Sequence, residues 1–314
     1  MIISVTLNAS VDKLYFVGSL KPFEVMRVGE VCNTAGGKGM NVARAASITG
    51  ERVAAMGFVG GHNGELFESL INEENIEKHF TRVKSETRCC VNVRDRQTNR
   101  STEFLEPGQP VAEDETEAFL RAYAALLPSA DIVTISGSMP KGVPPDFYGT
   151  MIKKAKEQGK PVILDSSGEA LRLAIPCGPA LIKPNKDEIC QLMGRKPASL
   201  NELAGASDAL RRMGAGAVAV SLGRDGVLVN CAEGVFRGIT PDIPVVNTVG
   251  CGDSMVAGFA VSMARHKVAE EAIRFAVAVS TANALTAKTG FFRKEDLNNL
   301  LNMVKVERLT GGTV

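Results

Sequence analysis

A chain of 314 residues with 45% hydrophobic content is long enough to bury a sizeable core. Its 36 basic and 35 acidic residues leave a net charge of +1, so no global field draws it to nucleic acid or to an anionic membrane, and any anion it binds must meet a local site. Tryptophan is absent and tyrosines number three, which removes the usual stacking platform for single-stranded nucleic acid.

The opening run Met1 to Leu7 lacks a basic n-region and a long apolar stretch, and reads as a first buried strand rather than a signal peptide. No later apolar run reaches the ~20 residues needed to span a bilayer. Cys32, Cys89, Cys90, Cys177, Cys190, Cys231 and Cys251 are scattered and odd in number, with no C-x-x-C pair and no histidine at metal-ligand spacing; this implies reduced thiols and a cytoplasmic protein.

From about Asp12 to Thr34 the chain is strand-like, with polar and apolar positions alternating and no convincing helix. Ala35-Gly36-Gly37-Lys38-Gly39-Met40-Asn41 follows. It is not a Walker A loop, because Gly39 rather than serine or threonine follows Lys38. Its glycines would let a polyhydroxylated ligand approach the backbone while Asn41 hydrogen-bonds the hydroxyls; a plain turn into a helix over Asn41 to Thr49 explains them nearly as well. Val53 to Val59 predicts a strand and Gly64 to Glu74 a helix, and Thr87 to Phe104 then returns to the strand-only pattern. Together, residues 12–34 and 87–104 predict a small antiparallel sheet outside the main one, a candidate lid, with two ordinary edge hairpins as the plainer alternative.

Ile132 to Ser136 predicts a strand before a helix over Pro145 to Gln158, and Val162 to Leu164 a strand before a turn. This alternation implies an α/β fold with a mostly parallel central sheet flanked by helices, whose ligands bind at the carboxyl ends of the strands. Ala180 to Ile182 leads into Lys183-Pro184-Asn185-Lys186-Asp187-Glu188, where Asn185 and Glu188, three apart at a helix start, face one side and could hold magnesium waters; acidic residues are equally customary at any helix start. The strand Ala217 to Leu222 ends in Ser221-Leu222-Gly223-Arg224-Asp225-Gly226, suited to ribose or phosphate contact or to an ordinary hairpin.

The run Thr248-Val249-Gly250-Cys251-Gly252-Asp253-Ser254 precedes three helical stretches, Ser254 to Arg265, Ala269 to Thr286 and Lys294 to Val304. At a helix start it offers N–H groups and a dipole for a transferring phosphate, and beside them a carboxylate able to take a hydroxyl proton. Taken alone, an aspartate before an apolar helix more usually only caps it, and that is the plainer reading of Asp253. No linker, low-complexity tract or internal repeat interrupts residues 1–314, so a single domain with a lid is expected rather than two domains.

The order of these motifs carries more than any one of them. Thr6-Leu7-Asn8-Ala9-Ser10-Val11-Asp12, Gly36-Gly37-Lys38-Gly39-x-Asn41, Thr102-Glu103-x-x-Glu106-Pro107-Gly108, Ser136-Gly137-Ser138-Met139-Pro140, Asp165-Ser166-Ser167-Gly168, Lys183-Pro184-Asn185-x-x-Glu188 and Gly250-x-Gly252-Asp253-Ser254 occur in register along the whole chain. In this it resembles the ribokinase-like PfkB carbohydrate kinases, and within them the branch of tagatose-6-phosphate kinase and 1-phosphofructokinase. The resemblance implies a ribokinase-like three-layer fold with a β lid that often forms a homodimer interface, ATP and Mg2+ as cosubstrates, and a phosphosugar as acceptor.

Carried over by position, Asp253 matches the base and the amides of Gly250, Cys251 and Gly252 the anion hole. Asp12, Gly37, Lys38, Asn41, Glu103 and Ser138 match sugar-contacting positions, and Arg27 and Arg88 those that bind the substrate's own phosphate. Lys183, Asn185, Ser221, Gly223, Gly226 and Asn283 match nucleotide positions, with Glu188 and Asn185 beside magnesium. Three departures stand out. Ala9 replaces a common proline. Cys251 replaces the usual alanine or serine, which could make the enzyme oxidation-sensitive. The 1-phosphofructokinase pattern T-R-x-N-x-K loses its lysine at Asn92, and Glu86-Thr87-Arg88-x-Cys90 is closer to the tagatose-6-phosphate kinases. The expected reaction is therefore phosphorylation of a ketohexose phosphate to the bisphosphate, tagatose 6-phosphate first and fructose 1-phosphate second. A non-catalytic binding regulator is the reading from another class, disfavoured by the retained Asp253, Asn185 and Glu188; a dinucleotide-binding dehydrogenase fails because no G-x-G-x-x-G follows the first strand.

Overall fold

The computed structural model describes residues 1–195 and 197–309. In chain order the elements are β1 (Ile2–Asn8), β2 (Ser10–Val17), β3 (Glu30–Gly36), α1 (Lys38–Ile48), β4 (Val53–Val59), α2 (Gly61–Ser69), β5 (Ile76–Arg82), β6 (Arg88–Asp95) and β7 (Ser101–Leu105). They continue with α3 (Glu113–Leu126), β8 (Ile132–Ser136), α4 (Phe147–Glu157), β9 (Val162–Asp165), α5 (Gly168–Ala174), β10 (Leu181–Ile182), α6 (Lys186–Met193) and α7 (Leu200–Arg212). The last part holds β11 (Val218–Ser221), β12 (Val227–Cys231), β13 (Gly234–Ile239), α8 (Cys251–Ala264), α9 (Ala269–Ala284), α10 (Lys294–Met303) and β14 (Lys305–Arg308).

Ten strands form the main sheet in the order β14-β13-β12-β11-β10-β9-β8-β1-β4-β5. The seven from β11 to β5 run parallel, and β12, β13 and β14 extend the sheet antiparallel. Every residue of β1, β4, β8 and β9 is buried, as parallel strands covered on both faces require. Two apolar clusters fill the two faces, one built around α1, α8, α9 and α10 and the other around α3, α4, α5 and α7. α8 is buried from Asp253 to Ser262, and Gly258 lets it approach α9 so closely that a Cβ there would press on Ala276.

A second sheet of four strands, β3-β2-β6-β7, stands apart from the first. The sequence predicted an antiparallel sheet; β2–β3 and β6–β7 are antiparallel hairpins, but β2 and β6 pair in parallel from Ser10 opposite Arg88 to Val17 opposite Asp95. β2 and β6 are the first strands of their hairpins, and they leave the main sheet in the same direction from β1 and β5, so they meet side by side in parallel. A second difference concerns α2, expected to reach Glu74 but ending at Ser69. Ile71 is buried beyond the helix end, and Glu73 turns to α1, where its carboxylate accepts from Arg44 Nε at 2.9 Å.

Candidate active site

The motif residues gather at the carboxyl ends of β1, β8, β9, β10 and β11, together with the helix starts that follow β3 and the 240–250 loop. Asp253 is the third residue of α8. Gly250 precedes that helix at φ 80°, where a Cβ would also collide with Thr289, so the turn demands glycine. The first helical bond runs from Ser254 N–H to Gly250 O at 2.8 Å. Cys251 N–H is already directed at Thr248 O at 3.3 Å, which leaves the amides of Gly252 and Asp253, in the first turn, as the donors for an anion.

The Asp253 carboxylate is buried, and its Oδ2 accepts from Asn41 Nδ2 at 2.8 Å. Burial, reinforced by the charge of Asp165, pushes its pKa up to about 6; the Asn41 hydrogen bond and the ammonium groups of Lys38 and Lys183 oppose the rise. A carboxylate in that range is ionised at neutral pH yet basic enough to take a proton.

Asp165, the last residue of β9, was part of a sequence motif but not among the expected site residues. It is almost wholly buried, and neither carboxylate oxygen accepts a hydrogen bond within the protein. Two ammonium groups face it, Lys183 Nζ at 3.4 Å and Lys38 Nζ at 3.8 Å. Asp165 is the largest influence raising the Lys38 pKa, with Asp253 and Glu188 adding to it. Lys183 Nζ in turn lies where a Cβ on Gly252 would touch it at 3.4 Å. Two carboxylates and two ammonium groups thus surround the start of α8. The motif that contains Asp165 does not show what it faces, because its partners come from α1 and from the residue after β10.

On the other side of the cleft stand residues of the small sheet and its borders. Asp12 on β2 lies over Gly36, where any Cβ would overlap its carboxyl group. Burial raises its pKa against the lowering influence of the Ser10 hydroxyl, which donates at 2.6 Å, and of Arg88. Arg88 at the start of β6 donates to Asn8 O through Nε and Nη2 at 3.2 and 2.9 Å, and to Glu106 O through Nη1 at 2.8 Å. Asn8 Nδ2 reaches Ser138 Oγ at 3.1 Å, linking this group to the end of β8. Glu103 on β7 is exposed and accepts from Asn92 Nδ2 at 3.0 Å, so the position that lost a lysine now holds an amide turned to a candidate sugar contact. Arg27 lies exposed in the β2–β3 connection, outside this group of contacts.

The remaining expected residues divide. Asn185 caps α6: its side chain accepts from Glu188 N at 2.8 Å, while Glu188 Oε2 accepts from Asn185 N at 2.8 Å, a reciprocal capping box. Ser221 bridges to Asn185, with its N–H on Pro184 O at 3.0 Å, which brings the ends of β10 and β11 together. Gly223 and Gly226 form the hairpin turn into β12, and a Cβ on Gly226 would overlap Gly238 O. Asn283 is wholly buried. It donates to Val249 O at 2.9 Å and accepts from Gly290 N at 2.8 Å, holding the loop before α8 against the loop before α10. Burial raises the pKa of the Cys251 thiol, so it stands protonated.

The profile described as pfkB family carbohydrate kinase matches residues 4–295. Phosphofructokinase-2 from Escherichia coli is similar over 96% of this chain and 98% of its own; its complex with fructose-6-phosphate is 30% identical with a TM-score of 0.88, and its tetrameric inhibited form 31% identical with a TM-score of 0.89. A Thermotoga maritima protein described as a possible 1-phosphofructokinase shares the fold at 24% identity and a TM-score of 0.87, over 98% of this chain and 99% of its own. Arabidopsis thaliana ribokinase shares it at 22% identity and a TM-score of 0.74, over 96% and 98%.

Proposed function

Because the chain belongs to the pfkB family of carbohydrate kinases, phosphotransferases with an alcohol group as acceptor, we propose that it transfers the γ-phosphoryl group of ATP to the free primary hydroxyl of a ketohexose phosphate, giving the bisphosphate. The observation that carries this reading is Asp253, a buried carboxylate with a pKa near 6, beside the open amides at the start of α8. Asp253 takes the proton of the attacking hydroxyl. The amides of Gly252 and Asp253, with Lys38 and Lys183, face the charge that builds up on the transferring phosphoryl.

ATP lies along the ends of β10 and β11, beside Lys183, Asn185, Ser221 and Gly223. Among the described residues no cluster of three or more His, Cys, Asp or Glu side chains could hold a metal alone. Glu188 and Asn185 would hold magnesium through its water shell beside the ATP phosphates; one oxygen of Glu188 serves the cap and the other is left for that role, a fit with the sparse protein ligation that Mg2+ accepts. When bound, the ion neutralises charge on the β- and γ-phosphates. The whole chain acts as one kinase domain, and the small sheet is its lid and, through exposed Phe23, Val25, Val31, Phe104 and Leu105, the contact surface of a homodimer.

Tagatose 6-phosphate is the substrate favoured by the run Glu86 to Cys90 and by the amide at Asn92. Similarity to a phosphofructokinase-2 that binds fructose-6-phosphate supports a phosphate at the 6-position of the acceptor. The test is ATP consumption with tagatose 6-phosphate, fructose 6-phosphate, fructose 1-phosphate and their unphosphorylated parents. Highest kcat/KM for a 6-phosphate is expected. Highest kcat/KM for fructose 1-phosphate would select the second substrate, and preference for a free sugar would overturn the phosphate-pocket role of Arg88.

A further inference from the structure

Arg44 lies one turn beyond Asn41 on the same face of α1, and its guanidinium is nearly enclosed. Nε donates to Glu73 Oε1 at 2.9 Å; Nη1 donates to Asn41 Oδ1 at 3.3 Å and to Thr289 O at 3.2 Å; Nη2 donates to Ala35 O at 2.9 Å. We propose that Arg44 is a positioning residue for the base, holding the Asn41 amide with its nitrogen towards Asp253 and tying that orientation to the end of β3 through Ala35. The proposal rests on the reading of Asp253 as the base.

The chemistry of the two ends leaves one arrangement. A guanidinium has donors and no acceptor, so only the oxygen of the Asn41 amide can face it. The nitrogen then points to Asp253 Oδ2, 2.8 Å away. A flipped amide would set N–H against N–H at Arg44 and oxygen against oxygen at an ionised Asp253. The Asn41 backbone is equally confined, since Gly290 packs so closely that a Cβ there would lie 2.8 Å from Asn41 Cα and O. Glu73, from the segment after α2, holds the far side of the guanidinium. The chain Glu73–Arg44–Asn41–Asp253 therefore runs from the protein rim to the base.

The charged groups that act on Asp253 directly are Asp165 at the end of β9, Lys38 in α1 and Lys183 after β10, while Arg44 reaches it through the amide. The Asn41 hydrogen bond favours the charged carboxylate. Freeing the amide should shift the base towards its protonated form by about one pH unit, the size set by one hydrogen bond to an ion.

A double-mutant cycle tests this, with kcat/KM for the preferred acceptor measured from pH 5 to 8. In Arg44→Met the acid limb is expected to move up by about one pH unit, with roughly tenfold lower kcat/KM at pH 5 and about fivefold lower at pH 6. In the Asn41→Ala background the same substitution should move the limb no further. Arg44 also lowers the Asp12 pKa by its charge; a limb governed by Asp12 would move in both backgrounds. If circular dichroism shows that Arg44→Met does not fold, Glu73→Gln takes its place, with a smaller upward shift that vanishes in Asn41→Ala. An unmoved limb with Asn41 present, or equal movement in both backgrounds, overturns the proposal. A wild-type profile without an acid limb, or undiminished turnover by Asp253→Asn, instead overturns the base itself and the proposal with it.

Discussion

The two walls of the cleft are built in opposite ways. On one wall Asp253, Asn41 and Asp165 are buried within α8, α1 and β9, and each polar group is fixed by packing or by a partner. On the other, every residue of β7 is exposed, most of β3 is exposed, and Phe23, Val25, Val31, Phe104 and Leu105 present apolar surface to solvent. The buried wall has its electrostatics in place before any ligand arrives, which is what a site for phosphoryl transfer requires. The outer strands β3 and β7 of the exposed wall bury little, while β2 and β6 between them bury Val11, Val17, Cys90 and Val93. On the proposed function the first wall serves chemistry and the second acceptor capture, and substitutions on each should separate accordingly.

The largest effect is expected from Asp253→Asn, a fall in kcat of about 10²–10⁴. Stability should move the other way. Folding raises the Asp253 pKa from 3.8 to about 6, so the folded chain keeps a proton that the unfolded chain loses, and stability declines as pH rises through that interval. The loss amounts to about 3 kcal/mol above pH 7, and calorimetry at pH 8 should show Asp253→Asn melting several degrees above wild type. Asp165→Asn comes next, with kcat lowered about 100-fold through displaced Lys38 and Lys183. Its acid limb should shift to lower pH, because the lost charge is one that raises the Asp253 pKa.

On the acceptor wall, Arg88→Ala should raise KM for the phosphorylated acceptor about tenfold or more while kcat changes little. A residue that only held Asn8 and Glu106 would instead alter kinetics equally for phosphorylated and free sugars. The smallest effect on folding is expected from Phe104→Glu with Leu105→Glu. Stability of the isolated chain should stay within about 0.5 kcal/mol, while sedimentation should show the proposed dimer in the wild type and a monomer in the variant.

The central strands and the helices after Asp253 were legible because continuous apolar runs and 3.6-residue periodicity leave few alternatives. Both strand-only segments were also legible, but not the parallel pairing of β2 with β6, which depends on where the two hairpins leave the main sheet. α3 and α7 went unnamed, their half-polar faces giving a weaker signal than the buried helices. Within the site, local motifs pointed to Asp253, Lys38, Asn41 and Lys183, which the fold brings together. Asp165 stood in the run Asp165-Ser166-Ser167-Gly168 without a role of its own, because its partner Lys38 is distant in sequence, and Arg44 stayed hidden because Glu73 and Thr289, which help hold its guanidinium, also come from distant segments. At Asn185 and Glu188 the plain helix-start alternative describes the observed hydrogen bonds, a reminder that a cap and a ligand site share residue types.

The most direct test of Asp253 as the base is the pH dependence of kcat/KM for wild type and Asp253→Asn, with ATP and the preferred phosphosugar. An acid limb near pH 6 in the wild type, and a slow residual rate without that limb in Asp253→Asn, is the expected result. A wild-type limb near pH 4, or the same limb near pH 6 in both proteins, would contradict it.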